Sequence, residues 1–244
     1  LPLEVSLVSL CPIRARRVNL VKLSISFLQN KFPVWLLPMF SDLLGKKESV
    51  GQLLDTAVRV LGTFSVLVIS FCVVYPNEIM HLLYKDVDQY NILVFVLLIL
   101  NIMPVAITYI YGTLLTANGS LKYLNKMAVF GVVLNIVVNM LLIPKYGAVG
   151  ASIATLATQG LTAVIQWYLV RPVMGVSLSV KVWLKVLGLG VLSIISFKLG
   201  QQYISSWSLN VVLAGTLAVI LPFALKIVDL KELINLVKSK GKMV

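Results

Sequence analysis

Acidic side chains are scarce in this sequence, and none falls in the middle of an apolar run. Nine aspartates and glutamates stand against 21 lysines and arginines in 244 residues, with a single histidine. The acids are Glu4, Asp42, Glu48, Asp55, Glu78, Asp86, Asp88, Asp229 and Glu232, and all read as loop, tail or span-edge positions. Proton and cation relays inside a membrane ordinarily use a carboxylate, so the sequence offers no site for a coupling ion. His81 cannot build a zinc site alone, and Cys11 and Cys72 are too distant and unpatterned for a disulfide framework or a metal centre. A serine–histidine pair suited to intramembrane proteolysis, an HExxH motif, a P-loop and a dinucleotide fingerprint are likewise missing. The expectation is a protein that is not an enzyme and that uses neither cofactor nor metal.

Charge of either sign is also short. Charged residues make up 12% and apolar residues 59%, with a mean hydropathy of +0.97. Soluble domains carry roughly 25% charged residues. A chain this poor in charge cannot cover a water-exposed surface. The class implied is a polytopic membrane protein. A net charge of +12 would suggest nucleic acid in a soluble domain. Here it is read as a signal of loop topology, with no nucleic-acid partner.

What is abundant is long apolar sequence. Crossing roughly 30 Å of hydrocarbon takes about 20 helical residues. Runs of that kind cover residues 57–75, 90–115, 123–143, 148–170, 182–199 and 207–226. Backbone groups in lipid must pair internally, and the alternating ten-residue strands of a barrel are missing. The predicted fold is therefore all-α, a helical bundle of about six transmembrane helices. Lysine and arginine then orient it. Lys31, Lys46, Lys47, Arg59, Lys122, Lys126, Arg171, Lys181, Lys185, Lys226, Lys231, Lys238, Lys240 and Lys242 fall on one side, and Lys85, Lys145 and Lys198 on the other. The richer side is read as cytoplasmic and includes the C-terminus.

Four regions follow. Residues 1–30 are irregular, with Arg14, Arg16 and Arg17 after a short apolar stretch, and read as the end of a longer protein or as an interfacial segment. Residues 31–170 hold four spans, 171–228 two more, and 229–244 a basic amphipathic tail suited to an anionic leaflet. The acidic connection 76–89 contains Ile79 to Tyr84, read as a short helix on the membrane surface.

Uncharged polar residues inside the spans are the remaining candidates. Asn101, Pro104, Thr108 and Gly112 share a face of the second span, where Pro104 is expected to bend the helix. Gly131, Asn135 and Asn139 form a stripe on the third. The fourth carries small residues, Gly147, Gly150, Ala151, Ala154 and Thr158, followed by Gln159 and Gln166. These amides either pair between helices or line a cavity that touches a polar substrate. Arg59 either snorkels to the interface or binds an anionic group. The candidate cavity residues are thus Asn101, Thr108, Asn135, Asn139, Gln159 and Arg59. The candidate hinge and packing residues are Pro104, Gly112, Pro144, Gly147, Gly150, Ala151 and Ala154.

The run from Asn135 to Thr155, NIVVNMLLIPKYGAVGASIAT, resembles the N-x-x-x-N-x-x-L-I-P-x-[YF]-G-x-x-G-A-x-x-A-T hairpin of polysaccharide flippases. These are the O-antigen and capsule repeat-unit transporters of the multidrug/oligosaccharidyl-lipid/polysaccharide exporter superfamily. Leu37 to Leu43 is similar to the family's P-x-x-S-x-L helix end, and Ile79 to Tyr84 to its I-x-x-L-[LF]-[YF]-G segment. Leu114 to Gly119 resembles the L-x-A-x-G-[KR] motif, with Ser120 at the basic position. The resemblance covers about residues 33–170. It implies a two-lobe bundle in a bacterial cytoplasmic (inner) membrane. By alternating access, that bundle moves an undecaprenyl-diphosphate-linked oligosaccharide outward for lipopolysaccharide O-antigen or capsule synthesis. Family members have 12 to 14 spans, so this chain resembles their C-terminal lobe. The resemblance accordingly implies a fragment or truncated gene, not competent alone, with a missing N-terminal lobe, membrane lipids and polysaccharide polymerase machinery as partners. A small-molecule antiporter lobe and a membrane protein that only assembles through its small-residue faces are the alternatives.

Overall fold

The computed structural model describes residues 32–174, 180–203, 206–225 and 227. The irregular segment 1–30 and the amphipathic tail 229–244 lie outside the described residues. Among those described, every regular element is an α-helix. They are α1 (Phe32–Gly45), α2 (Gly51–Val74), α3 (Pro76–Leu83), α4 (Gln89–Leu100), α5 (Ile102–Ala117), α6 (Leu121–Met174), α7 (Val180–Tyr203) and α8 (Trp207–Ala224). The chain is an all-α polytopic bundle.

Local chemistry sets the boundaries. α1 closes in a Schellman motif in which Glu48 N–H reaches Leu43 C=O at 2.9 Å and Lys47, at φ 55°, takes the left-handed position. α5 closes the same way, with Gly119 at φ 72° and Ser120 N–H on Leu115 C=O at 2.9 Å. Pro76 opens α3 and Asp88 caps α4, its Oδ1 accepting Asn91 N–H at 2.8 Å. Pro104 has no N–H to offer Leu100, four residues back, and α4 ends at that residue. The predicted bend in the second span is therefore a break centred on Asn101, with α4 and α5 on either side.

Four stretches are long and apolar enough to cross a membrane: Gly51–Val74, Gln89–Ala117, Leu121–Pro172 and Val180–Tyr203. The third is two helices folded at Gly147, whose φ of 55° and ψ of −128° lie outside helical space. Its arms run antiparallel. Asn135 meets Thr158, Gly131 faces Thr162, and Gly150 packs on the Leu142 carbonyl, so partner numbers rise on one arm as they fall on the other. The sixth apolar run forms α8, shorter than the others.

α2 is the centre of the bundle and packs between α5 and α7, with α4 alongside. α7 runs parallel to it: Gly62 faces Val186, Gly190 faces Val66, Phe71 meets Phe197 and Gln201 Nε2 donates to Val74 C=O at 3.3 Å. α8 covers α7, α1 covers α5, and the α6 hairpin packs on α4 and α5. These pairings fix which helix ends share a side. Tyr90 meets the hairpin tip, and Val74 meets Gln201 at the same end. Trp183 meets Tyr111 near the other end. Lys46, Lys47, Lys122, Lys126, Lys181 and Lys185 therefore share one end, and Lys85, Lys145 and Lys198 the opposite one. The short helix read from residues 79–84 is α3, with Ile79 and Met80 buried and Leu82 exposed.

Candidate functional site

A cleft of about 490 Å³ opens between α1, α5 and both arms of α6. Thr108, Tyr109, Gly112, Thr113 and Thr116 supply its α5 wall, Gln159 and Gln166 come from the second hairpin arm, and Leu124 from the first. Leu37 and Val105 add an apolar edge. Thr108, Gly112 and Thr116 recur every four residues, which stacks them along one face of α5.

An amide lies over Gly112. A Cβ there would stand 3.7 Å from both Nε2 and Oε1 of Gln166, so the carboxamide lies directly over the glycine. Gln166 is 5% exposed, and its Oε1 has no hydrogen-bond partner. Thr108 Oγ1 is in the same condition. The neighbouring hydroxyls are occupied: Thr113 Oγ1 donates to Tyr109 C=O at 2.7 Å and Thr116 Oγ1 to Gly112 C=O at 2.8 Å. A buried polar atom without a partner costs about 1–3 kcal/mol. Both orphan atoms are sealed by surrounding protein, and the wall meets a polar guest through its other groups, the Gln159 carboxamide and the Thr113 and Thr116 hydroxyl oxygens among them. No lining residue is charged. The cleft has hydrogen-bonding capacity but no nucleophile–base pair. Among the described residues no cluster of histidine, cysteine and acids is suited to a metal ion.

The structure separates the residues that the sequence grouped. Thr108, Gly112 and Gln159 line the cleft. Asn135 and Asn139 sit in the hairpin seam, where Asn139 Nδ2 donates to Asn135 Oδ1 at 2.8 Å and Asn135 Nδ2 to Thr158 Oγ1 at 3.0 Å. Thr158 Oγ1 donates to Ala154 C=O at 2.8 Å on its own arm, leaving the Asn135–Thr158 bond as the crossing between the arms in this chain of hydrogen bonds. Asn135 pairs between helices, through Thr158, whereas Asn139 bonds Asn135 on its own arm and its buried Oδ1 has no partner. Asn101 is buried at the α4–α5 break beside Pro104, with its Oδ1 unpartnered, and is not on the cleft wall. Arg59 is half-buried in α2, also away from the wall.

Among the packing candidates, Pro144, Gly147, Gly150, Ala151 and Ala154 all belong to the hairpin. Gly150 allows the arms to touch, since a Cβ there would collide with the Leu142 carbonyl, and Ala154 is fully buried. The residue that sequence reading missed is Tyr90. Its hydroxyl donates to Tyr146 C=O at 2.9 Å and accepts Val149 N–H at 3.3 Å, satisfying one orphan group from each arm. It lies against Gly147, where a Cβ would stand 2.8 Å from the phenol oxygen. Nothing local marks it, because its partners are 56 and 59 residues away.

Comparisons with known protein families, with curated proteins and with solved structures return no match.

Proposed function

We propose that this chain is one lobe of a transporter that carries a lipid-linked oligosaccharide across a bacterial cytoplasmic membrane, with the cleft between α1, α5 and α6 contacting the sugar. The cargo class is an undecaprenyl-diphosphate-linked repeat unit bound for O-antigen or capsule. The C-terminus is cytoplasmic, and a second lobe completes the pathway. The observation that carries the reading is the uncharged cleft wall, lined by the polar side chains of Thr108, Thr113, Thr116, Gln159 and Gln166. Sugars offer many hydroxyls and little charge, and such a wall answers them with hydrogen bonds alone. The hairpin motif, folded back at Gly147, adds the family resemblance. The α4–α5 break at Pro104 supports a bundle whose second span is not a single rigid rod. A drug antiporter would be expected to use an intramembrane acid, and the cleft wall has none.

The test uses an intact transporter containing this lobe, in a strain whose surface polysaccharide depends on it. A neutral hydrogen bond is worth about 0.5–1.5 kcal/mol, so Gln159→Leu and Thr116→Val should each lower export about three- to tenfold at unchanged protein level. Normal export at normal protein level in the double variant would remove the cleft from the pathway.

A further inference from the structure

We infer that Arg171 and Trp167 form a site for the phosphate of an anionic phospholipid headgroup at the lysine-rich end of the bundle. This goes beyond the transport reading and does not depend on it. Arg171 lies in the last turn of the apolar segment Leu121–Pro172, at the depth where a membrane-spanning helix meets headgroups. Its guanidinium carbon stands 4.4 Å from the centroid of the Trp167 ring, so the cation is stacked on the indole. Among the described residues Arg171 has no ion pair and no hydrogen bond. Its Nε lacks an acceptor and so does Trp167 Nε1, both shielded from water by the protein.

Two neighbouring side chains, one of them charged, thus each hold an unsatisfied N–H donor where the bundle meets the interface. The nearby protein groups do not serve them. Tyr111 Oη takes the Trp183 indole N–H at 3.2 Å. Asp55 and Arg171 both act electrostatically on Tyr111, and Asp55 is already engaged. An external acceptor cannot reach those two sealed atoms, so it meets the guanidinium at its terminal nitrogens, which are not among them, and a negatively charged acceptor suits the cation best. At headgroup depth the abundant one is a phosphodiester, whose oxygens match the planar fork of a guanidinium. Tryptophan is itself favoured at that level. Lys122, Lys126, Lys181 and Lys185 are exposed at the same end and raise the local concentration of anionic lipid without fixing its position. Basic pockets between spanning helices on the cytoplasmic side are a recurrent form of headgroup recognition.

The full chain, purified in a mild detergent, is titrated by native mass spectrometry with phosphatidylglycerol, with phosphatidylcholine and with inorganic phosphate. Phosphatidylglycerol should be retained over phosphatidylcholine by about tenfold, and Arg171→Gln should abolish most of that preference, because a charged hydrogen bond is the stronger kind. Trp167→Ala, which removes the ring under the guanidinium, should cost about threefold, as for one cation–π contact. The double variant Lys181→Gln/Lys185→Gln should change retention less than about twofold, as expected for surface charges. Equal retention of the two lipids overturns the site. So does a loss in the double lysine variant matching that of Arg171→Gln, which would mean diffuse charge. Displacement of the lipid by millimolar phosphate would assign the site to a soluble anion instead. Where Arg171→Gln fails to fold, Arg171→Lys keeps the charge and loses the fork; retention should fall between the two, and wild-type retention overturns the proposal.

Discussion

α2 and the α6 hairpin are almost equally apolar and live in opposite surroundings. Mean hydropathy is 2.2 for the best window of α2 and 2.3 for that of α6, yet 56% of the first window is buried in protein and only 11% of the second. α2 brings Leu54, Leu61 and Val58 into the core and buries Thr56, Ser65 and Ser70 as well, whose hydroxyls donate to Gln52, Leu61 and Gly190 carbonyls. The hairpin presents Val129, Met140 and Leu141 outward, turns Asn135 and Thr158 into the seam between its own arms, and sets Gln159 and Gln166 toward the cleft. Apolarity in a membrane chain answers whether a segment leaves water. It does not answer whether protein or lipid then surrounds it, because lipid tails are as apolar as leucine.

That contrast can be broken by substitution, and the largest effect is expected in the core. Leu61→Ala, at a residue 1% exposed, should destabilise by about 2–4 kcal/mol through the cavity it leaves. Leu141→Ala, at 64% exposure, should stay within about 0.5 kcal/mol. Thermal unfolding in one detergent measures both, and equal losses would mean that protein packing does not distinguish the regions.

The seam between α2 and α7 gives a sharper version within one helix. A Cβ at Gly190 would stand 2.6 Å from Val66 Cγ1, whereas Gly188 has nothing within 4 Å. Gly190→Ala should therefore cost about 1–3 kcal/mol by overpacking, and Gly188→Ala should be neutral or stabilising by up to about 1 kcal/mol. The same melts would show the two variants moving in opposite directions.

At the hairpin tip, Gly147→Ala places a side chain at φ 55° and against Tyr90, for a cost of about 1–3 kcal/mol. Tyr90→Phe removes two hydrogen bonds and should cost about 1–2 kcal/mol while speeding amide exchange at Val149. Unchanged exchange there would show that the phenol does not hold the turn. The smallest effect is expected in the seam. Asn135→Leu and Asn139→Leu should each cost about 0.6 kcal/mol, because the alternative partners in an unfolded membrane chain offset the loss. Their effect on export should be smaller than that of Gln159→Leu, and a larger effect would return the asparagines to the transport path.

The hairpin was legible before any coordinates because its signals are local. Asn135 and Asn139 one turn apart, small residues on the following segment, and Pro144 to Gly147 between them describe two arms and a turn without reference to the rest of the chain. The break at Pro104 was legible for the same reason, since a missing N–H acts four residues back. The cleft was not. Thr108, Gly112 and Gln159 line it, yet Asn135 and Asn139 have equally suitable spacing and chemistry and sit in the hairpin seam, where Asn135 bonds Thr158 of the other arm and Asn139 bonds Asn135. Periodicity assigns residues to a face but carries no information about what that face meets. α2 shows a milder limit. The apolar run begins at residue 57, whereas the helix begins at Gly51 and takes in Asp55, because hydropathy marks the lipid-crossing part and not the hydrogen-bonded one.

Composition and short-range spacing were enough for the class, the helical segments, the turn at Gly147 and the grouping of lysines at alternate ends, because each is a local property of the chain. The central place of α2, the parallel run of α7, the closure of the hairpin by Tyr90 and the position of Gln166 over Gly112 emerge from packing alone. Each of these depends on a meeting of residues distant in the chain, and in a chain of nearly uniform apolarity that meeting is set by the shapes of small residues and the placement of a few polar atoms.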